Sequence, residues 1–522
     1  MKTKWMTLLT GGVVLTMILL TIYQPVAAAP AGEIKIAGAM FGNQVPIPRL
    51  ELTHANDWMQ MLFDHLLGCT PEGDFSPDHG LANKWEMSPD ALTWTFYIRK
   101  GVKFHDGVEV TAKDVKFSLE EFIRPDSLSD DAAFLRRDIK SIEVKDPYTL
   151  VIQCKQPAIF LRNLLSNMEG TAGMIIPKDY YEKVGKEQFQ KHPIGSGPYK
   201  WHSQMVGSFI KLEATDKHWR DGVPRYKYMT YLIIPEEGTR LAMLRTGEAD
   251  ITRVSRKGVK EAVGAGLNIV SKKSGGIVVF YFTQSWTSPV FSDIRFRKAL
   301  NLAIDRGAII KGLLEGLADP IAAYPGSKIS AVGGDLKLKA HPYDPQEARR
   351  LIKEGGWEGH EVTIVSYDRA GFPELHEVIE ALAGYWEKIG LKTKISRTDW
   401  GVWRRARFEP KAQNTIYGSD DTVNPNAGAL LIKFIERMSS KTKLATVHIR
   451  ELDEKIERAE KSVDVDEVSK ILSELYRYDY DHYLMIPICE TFDEIATTKK
   501  VPKWDPGLRR MDRNYYDLIR QR

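Results

Sequence analysis

Residues Trp94 to Phe122 constrain the fold more than any other stretch, because a strand period gives way there to a helix period with turn chemistry in between. Trp94, Phe96 and Ile98 alternate with Thr95, Tyr97 and Arg99, the pattern of a half-buried strand. Val102 and Phe104 lead into Asp106-Gly107, and Val108 and Val110 follow, so a residue tolerant of positive φ stands where a two-residue hairpin needs one. Thr111 and Asp114 are then spaced as a helix-capping pair, and Val115, Leu119 and Phe122 recur at i, i+4 and i+7. A strand, a hairpin and a capped helix in succession predict a mixed α/β protein. His105 beside Asp106 has the makings of an acid/base pair, but the turn accounts for Asp106 and the hairpin for His105, so both are read as scaffold.

The chain has 522 residues, 43% hydrophobic and 27% charged, which is a globular composition with room for two or three domains. Lysine and arginine number 73 against 69 acids, a balance of +4 with no dense basic patch, so nucleic acid is not an expected partner. Residues 1–28 read as a signal peptide. Lys2 and Lys4 are followed by an uncharged, mostly apolar run from Met6 to Tyr23 and by small residues suited to cleavage after Ala28 or Ala31. Because the leader carries the two lysines, its removal takes the net charge from +4 to +2. The apolar run is near the length that spans a bilayer, which keeps a membrane-tethered sensor in view, but its threonines and glycines favour cleavage. No cysteine follows the run, so the expected product is exported, periplasmic and not a lipoprotein.

Cys69, Cys154 and Cys489 show no CxxC spacing; one disulfide with a free thiol and three buried thiols are both compatible with them. The histidines form no HExxH or paired i, i+4 pattern, so no metal or other cofactor is expected. Gly195-Ser196-Gly197 lacks the flanking glycines of a nucleophile elbow, and no catalytic constellation stands out. Along the chain, Glu33 to Ala39 and Thr149 to Cys154 read as strands, Asn56 to Leu67 as a helix, and Thr239 to Arg245 as a helix closed by Gly247. Asp293 to Gly316 reads as helix broken near Asp305 by a new cap, and Leu375 to Ile389 as an amphipathic helix ending at Gly390 before a strand from Leu391. Glu451 to Arg477 is again helical in pattern.

These residues resemble the family 5, or dipeptide/oligopeptide type, of extracellular solute-binding proteins of ABC transporters. The resemblance begins at Leu81-Ala82 with Trp85 and takes in Trp94, Phe96, Arg99, Phe104-His105-Asp106-Gly107 and Thr111-Ala112 with Asp114-Val115. It continues through Pro193-Ile194-Gly195-Ser196-Gly197-Pro198-Tyr199, Trp219, Gly222, Pro224 and Gly247-Glu248-Ala249-Asp250. Asp293, Arg295, Arg297, Ala299-Leu300, Ala303-Ile304-Asp305-Arg306, Tyr343-Asp344-Pro345 and Ile389-Gly390-Leu391 extend it over nearly the whole mature chain. There are departures. The Ser-Leu-Asp-Pro common after the first strand is replaced by Phe41-Gly42-Asn43-Gln44-Val45-Pro46, and Gln284 stands where asparagine is frequent. Asp421 matches, by its distance from Pro425, the aspartate that receives the peptide amino group in peptide-binding members, while Asn424 and Tyr417 replace an acid and a tryptophan.

The resemblance implies a two-lobed periplasmic binding protein of the large type II class, with an extra subdomain in the first lobe. Lobe I takes 29–268 and 490–522, with the subdomain at about 70–190, and lobe II takes 269–489. It implies a monomeric receptor, not an enzyme, that closes on a small-molecule ligand (a peptide, an opine, a sugar or a similar polar solute) and delivers it to the membrane permease of an ABC importer. The alternative, a secreted hydrolase, needs a nucleophile or paired-acid site that the sequence does not display. Phe41, Asn43, Gln284, Trp286, Trp400, Trp403, Tyr417, Asp420 and Asp421 occupy the positions that face the cleft in the resembling family. Trp286 and Trp400 suit a hydrophobic core equally well, and Asp420 and Asp421 suit a loop that caps its own backbone. On the ligand-binding reading, one of the two carboxylates faces solvent and the other turns into the cleft, to be paired with a cationic group.

Overall fold

A computed structural model describes residues 29–51, 55–71, 74–129, 131–168, 170–272, 276–324, 337–368, 372–421 and 427–502, with Trp504, Pro506, Tyr516 and Ile519 beyond them. The expected leader, Asn424-Pro425 and most of the C-terminal tail lie outside the described residues. Three sheets organise the described residues. The first has seven strands in the order 268–272, 493–497, 251–254, 33–38, 228–233, 209–214, 199–205, with the central Glu33–Gly38 parallel to both its neighbours. The second has six, in the order 318–320, 485–491, 277–282, 415–421, 361–366, 392–397. The third is a four-stranded antiparallel sheet of 82–87, 93–98, 149–154 and 139–146. Each is hydrophobic on the faces its helices cover, as layered α/β packing requires.

The chain passes from the seven-stranded to the six-stranded sheet after Lys272 and returns between Thr491 and Asp493. The residues at which the chain enters and leaves the six-stranded sheet are bonded to each other: Thr491 N donates to Gly276 O at 2.8 Å, and Gly276 N donates to Thr491 Oγ1 at 3.0 Å. Further contacts tie the two parts together. The helix Arg256–Gly264 on the first sheet presents Arg256 to Glu374 (2.7 Å, both buried) and Lys260 to Glu315 (2.5 Å) on the second. Ala91 and Ile159 of the four-stranded unit join the core of the six-stranded one.

The stretch from Trp94 keeps the expected order of strand, turn and capped helix, but its loop has three residues rather than two. Thr93–Ile98 is a strand, Phe104 N donates to Val108 O (2.8 Å) across His105-Asp106-Gly107, Gly107 N donates to Phe104 O (2.9 Å), and only Gly107 of the loop has positive φ, at +90°. Thr111 N donates to Asp114 Oδ2 (2.9 Å) at the start of the helix Ala112–Phe122. Gly247 closes the helix Glu237–Thr246 at φ +78°, and Asp305 caps the helix Arg306–Leu313 after a break that follows Leu302.

Two helices differ from expectation. The helix from Asn56 stops at Leu62 rather than Leu67, because Leu62 O is taken by Gly197 N and residues beyond it bridge to other segments, His65 to Met174 and Leu67 to Ser166. The segment from Glu451 is two helices, Arg450–Lys461 and Val465–His482, since Asp464 accepts from Asp466 N and Glu467 N and restarts the helix. The three cysteines are buried free thiols, so the disulfide option is closed, and burial pushes the Cys154 and Cys489 thiols up to about 12.

Candidate functional site

The strand Thr415–Asp421 runs through the middle of the six-stranded sheet, antiparallel to Ile277–Phe282 and parallel to Glu361–Ser366. Alternation puts Tyr417, Ser419 and Asp421 on the face shared by Tyr281, their registers being Tyr281 to Tyr417 and Ile277 to Asp421, while Asp420 points to the opposite face. The two aspartates therefore diverge, but neither faces solvent: Asp420 is 3% exposed and Asp421 8%.

Asp421 is enclosed by its own chain. Its Oδ2 accepts from Tyr281 Oη (2.6 Å) and Tyr324 Oη (2.7 Å), its Oδ1 accepts from Ser419 Oγ (2.6 Å), and Arg437 Nη2 lies at 3.4 Å. Arg437 also donates to Tyr417 Oη at 2.9 Å and sits 4.1 Å over the Tyr281 ring. Burial opposes the carboxylate, but Arg437, Lys433, Ser419 and Tyr281 outweigh it and hold Asp421 well below the ordinary carboxylate range. For Arg437, burial works against the charge, and Tyr281, Tyr417 and Asp421 more than offset it. Burial drives the Tyr281 and Tyr324 hydroxyls well above 10, so both remain protonated donors to Asp421.

Beside this cluster, Gln284 and Tyr417 line one small cleft with Arg407 and Lys443. Gln284, at φ +50°, donates to Arg407 O (3.3 Å) and accepts from Gln413 Nε2 (3.3 Å). Trp403 is buried with its ring 5.6 Å from Tyr417, and Trp400 packs on Tyr367 at 4.7 Å with the Arg407 guanidinium 5.6 Å over its ring. Among the described residues Trp403 Nε1 and Arg407 Nε are buried without a hydrogen-bond partner. Trp286 stands apart, stacked on His448 at 3.6 Å. In the seven-stranded part, Phe41 is buried against Tyr231 (5.2 Å), and Asn43 is exposed and held by Glu51 Oε2 on its backbone N (2.7 Å). The structure thus gathers Gln284, Trp400, Trp403, Tyr417 and Asp421 at one wall and places Phe41 and Asn43 on the other sheet.

Sequence reasoning missed Arg437, Tyr281 and Tyr324. Arg437 had a legible signal: it falls on the apolar stripe of the helix Ala427–Met438, three and seven residues after the buried Phe434 and Leu430, where a charge needs a buried partner. Tyr324 reaches Asp421 from 97 residues away, and no local pattern announces it.

His105 is part of the framework. Its Nδ1 accepts from Gly195 N (3.2 Å) and its Nε2–H donates to Gly197 O (2.9 Å), so the ring clamps the Gly195-Ser196-Gly197 loop, and burial lowers its pKa to about 4. That loop lies so close to the end of the helix Asn56–Leu62 that a Cβ on Gly195 would stand 1.9 Å from Leu62 O. Among the described residues no group of histidines, cysteines and acids could hold a metal ion, and no helix is long and apolar enough to cross a membrane.

The model of the family described as "Bacterial extracellular solute-binding proteins, family 5 Middle" matches residues 76–432. Over 341 residues the chain is 31% identical to the glutathione-binding protein GsiB of Salmonella paratyphi A (strain ATCC 9150 / SARB42). That stretch covers 65% of this chain and 64% of GsiB, so the match spans less than two thirds of the relative's length. In three dimensions the chain is similar to the ABC transporter substrate-binding protein CtaP of Listeria monocytogenes, with a TM-score of 0.81 at 19% identity over 94% of this chain and 99% of that one. It is also similar to the ABC transporter-associated periplasmic binding protein DppA of Helicobacter pylori in complex with the peptide STSA. There the TM-score is 0.72 at 22% identity, over 94% of this chain and 98% of DppA. At these identities the structural likeness carries the two-lobed α/β fold.

Proposed function

The chain belongs to the bacterial extracellular solute-binding proteins of family 5, and we propose that it is a periplasmic receptor that captures a polar small molecule between its lobes and hands it to an ABC importer. The observation that carries this reading is the pair of adjacent crossings at Gly276 and Thr491, the arrangement that lets two sheet-based lobes hinge as rigid bodies. A solute held between lobes stabilises the closed form through contacts the open form lacks, and a permease reads that difference in shape. Lobe I comprises residues from 29 to the first crossing and again from the second, with the four-stranded subdomain at about 70–190; lobe II lies between the crossings. The strand Asn268–Lys272 hydrogen-bonds within the seven-stranded sheet, which supports a boundary after Lys272 rather than at 268. Gln284, Trp400, Trp403 and Tyr417 form the lobe II wall of the cleft, and Phe41 and Asn43 belong to the lobe I wall.

The ligand is a peptide, an opine, a sugar or a similar polar solute. Export follows cleavage after Ala28 or Ala31, without a lipid anchor, and the receptor acts as a monomer. Native mass spectrometry of the protein purified from its periplasm tests the reading: one small molecule should co-purify and be released chemically unchanged. Conversion of that molecule on incubation would replace the receptor with a secreted hydrolase.

A further inference from the structure

Phe160 of the subdomain and Gly428 of lobe II interlock. A Cβ on Gly428 would stand 2.6 Å from Phe160 Cγ and 2.7 Å from Phe160 Cβ, so the ring seats in a notch that only a glycine leaves open. The φ of Gly428 is not positive, and glycine is a poorer helix former than alanine within the helix Ala427–Met438. Close approach is therefore what this glycine serves. Each side of the contact is held by its own unit. Trp94 Nε1 donates to Ala158 O (3.0 Å) and Ala158 N donates to Ala91 O (3.0 Å), which ties the segment before Phe160 to the subdomain. Across the seam, Leu430 and Phe434 anchor the helix in the core of lobe II, where Ile159 and Phe160 also pack, and Arg437 of that helix donates to Tyr417 Oη (2.9 Å). The ion pair beside the seam, Arg137 with Glu460 (3.9 Å), is 44% and 36% exposed and adds little, so the contact is carried by apolar packing.

We infer that Phe160 is a positioning residue for closure: its ring enters the Gly428 notch as the lobes come together and leaves it as they part, so the subdomain acts as a clasp on the closed form. This rests on the two-lobed receptor reading. Neither residue belongs to the segments that join the lobes, 272–276 and 491–493, so the seam can break while the chain crossings stay intact. Packing that exists only in the closed arrangement stabilises that arrangement alone, with or without a solute in the cleft. The same helix carries Arg437, and seating Phe160 therefore also fixes the Tyr417 wall relative to the subdomain.

A pair of cysteines tests the clasp. In a protein with Phe160→Cys and Gly428→Cys, the two Cβ atoms need to separate by only about 1 Å to reach disulfide range, and the native thiols Cys69, Cys154 and Cys489 are buried. Oxidised and dialysed free of solute, the mature protein should form this disulfide and give a compact particle in small-angle X-ray scattering. Reduced with dithiothreitol, it lacks both the bond and the ring and should shift to a larger radius of gyration. The two states are one chain, so a folding defect cannot produce the difference. Gly428→Val, which blocks the notch, and Phe160→Ala, which empties it, should scatter like the reduced form. A seam that is only structural gives a different result: lower melting temperatures with the radius of the oxidised protein in every variant, which would overturn the proposal. So would a folded, oxidised cysteine pair that forms no disulfide. The receptor reading fails separately, when no solute co-purifies or the solute is converted, whatever the radii.

Discussion

Asp421 illustrates how a residue identified by family position acquires a different physical role from its surroundings. Four partners from its own chain occupy its carboxylate, with Arg437 as the counter-charge and both side chains 8% exposed. Removing one member of such a pair strands the other in a low-dielectric interior, so Asp421→Asn should destabilise the fold by about 3–5 kcal/mol. Replacing both, as Asp421→Leu with Arg437→Met, should cost less than Asp421→Leu alone, because no uncompensated charge remains. Urea denaturation of the single and double variants checks this, and a fully stable Asp421→Asn protein would mean that the pair does not support the fold. The sign with pH is fixed by the depressed carboxyl. Its contribution is present above the ordinary value of 3.8 and is lost as pH falls below it, so the pair is intact at neutral pH.

At the scale of elements, the hairpin after Trp94 and the loop at Gly195 form one assembly, joined through the His105 ring and by His105 N to Gly195 O (2.8 Å). A Cβ on Gly107 meets nothing within 4 Å, so the cost of Gly107→Val is conformational: a β-branched residue at φ +90° should lose about 1 kcal/mol or more. His105→Gln keeps one loop contact and loses the other, for a loss of about 1 kcal/mol. Both variants should bind the cleft solute as the parent does, measured by calorimetric titration. Lost affinity in a stably folded His105→Gln protein would move the histidine from framework to site.

For the whole molecule, buried titratable groups on both lobes set the response to acid. Burial, opposed by hydrogen bonds and charges, holds His105 at about 4, and burial together with Arg306 holds His341, stacked between Tyr480 and Tyr483, at about 3. Both are lowered from 6.5, so between about pH 4 and 6.5 each gains a proton only on unfolding, and stability rises with pH by about 1.4 kcal/mol per unit for each. Asp479 does the opposite. Burial raises it to about 7 against the hydrogen bond from Tyr324 N (2.9 Å), so the folded state holds a proton the unfolded state has lost, and stability falls with pH between 3.8 and 7. Asp479→Asn should therefore steepen the rise in stability from pH 4.5 to 6 by about one proton, read from urea midpoints across that range. An unchanged slope would mean that Asp479 is ionised in the native protein.

Local chemistry in the sequence was enough for the units whose causes are local. The Thr111–Asp114 cap, the Asp305 restart and the Gly247 and Gly390 terminations each depend on residues within one or two turns of one another, and each folds as read; the turn at Asp106-Gly107 forms too, but as a three-residue loop with Gly107 alone at positive φ. The two-lobed class was legible too, because many short motifs in fixed order specify a topology even where no single one does. The helix from Asn56 ends early for a reason 135 residues away, where Gly197 N takes Leu62 O; no local pattern encodes that close approach. The site divides in the same way. Strand alternation predicts that Asp420 and Asp421 point apart, but only the meeting of Tyr281, Tyr324 and Arg437 decides that Asp421 is already paired. Backbone conformation answers to neighbours in sequence, whereas desolvation answers to whatever the rest of the chain brings alongside.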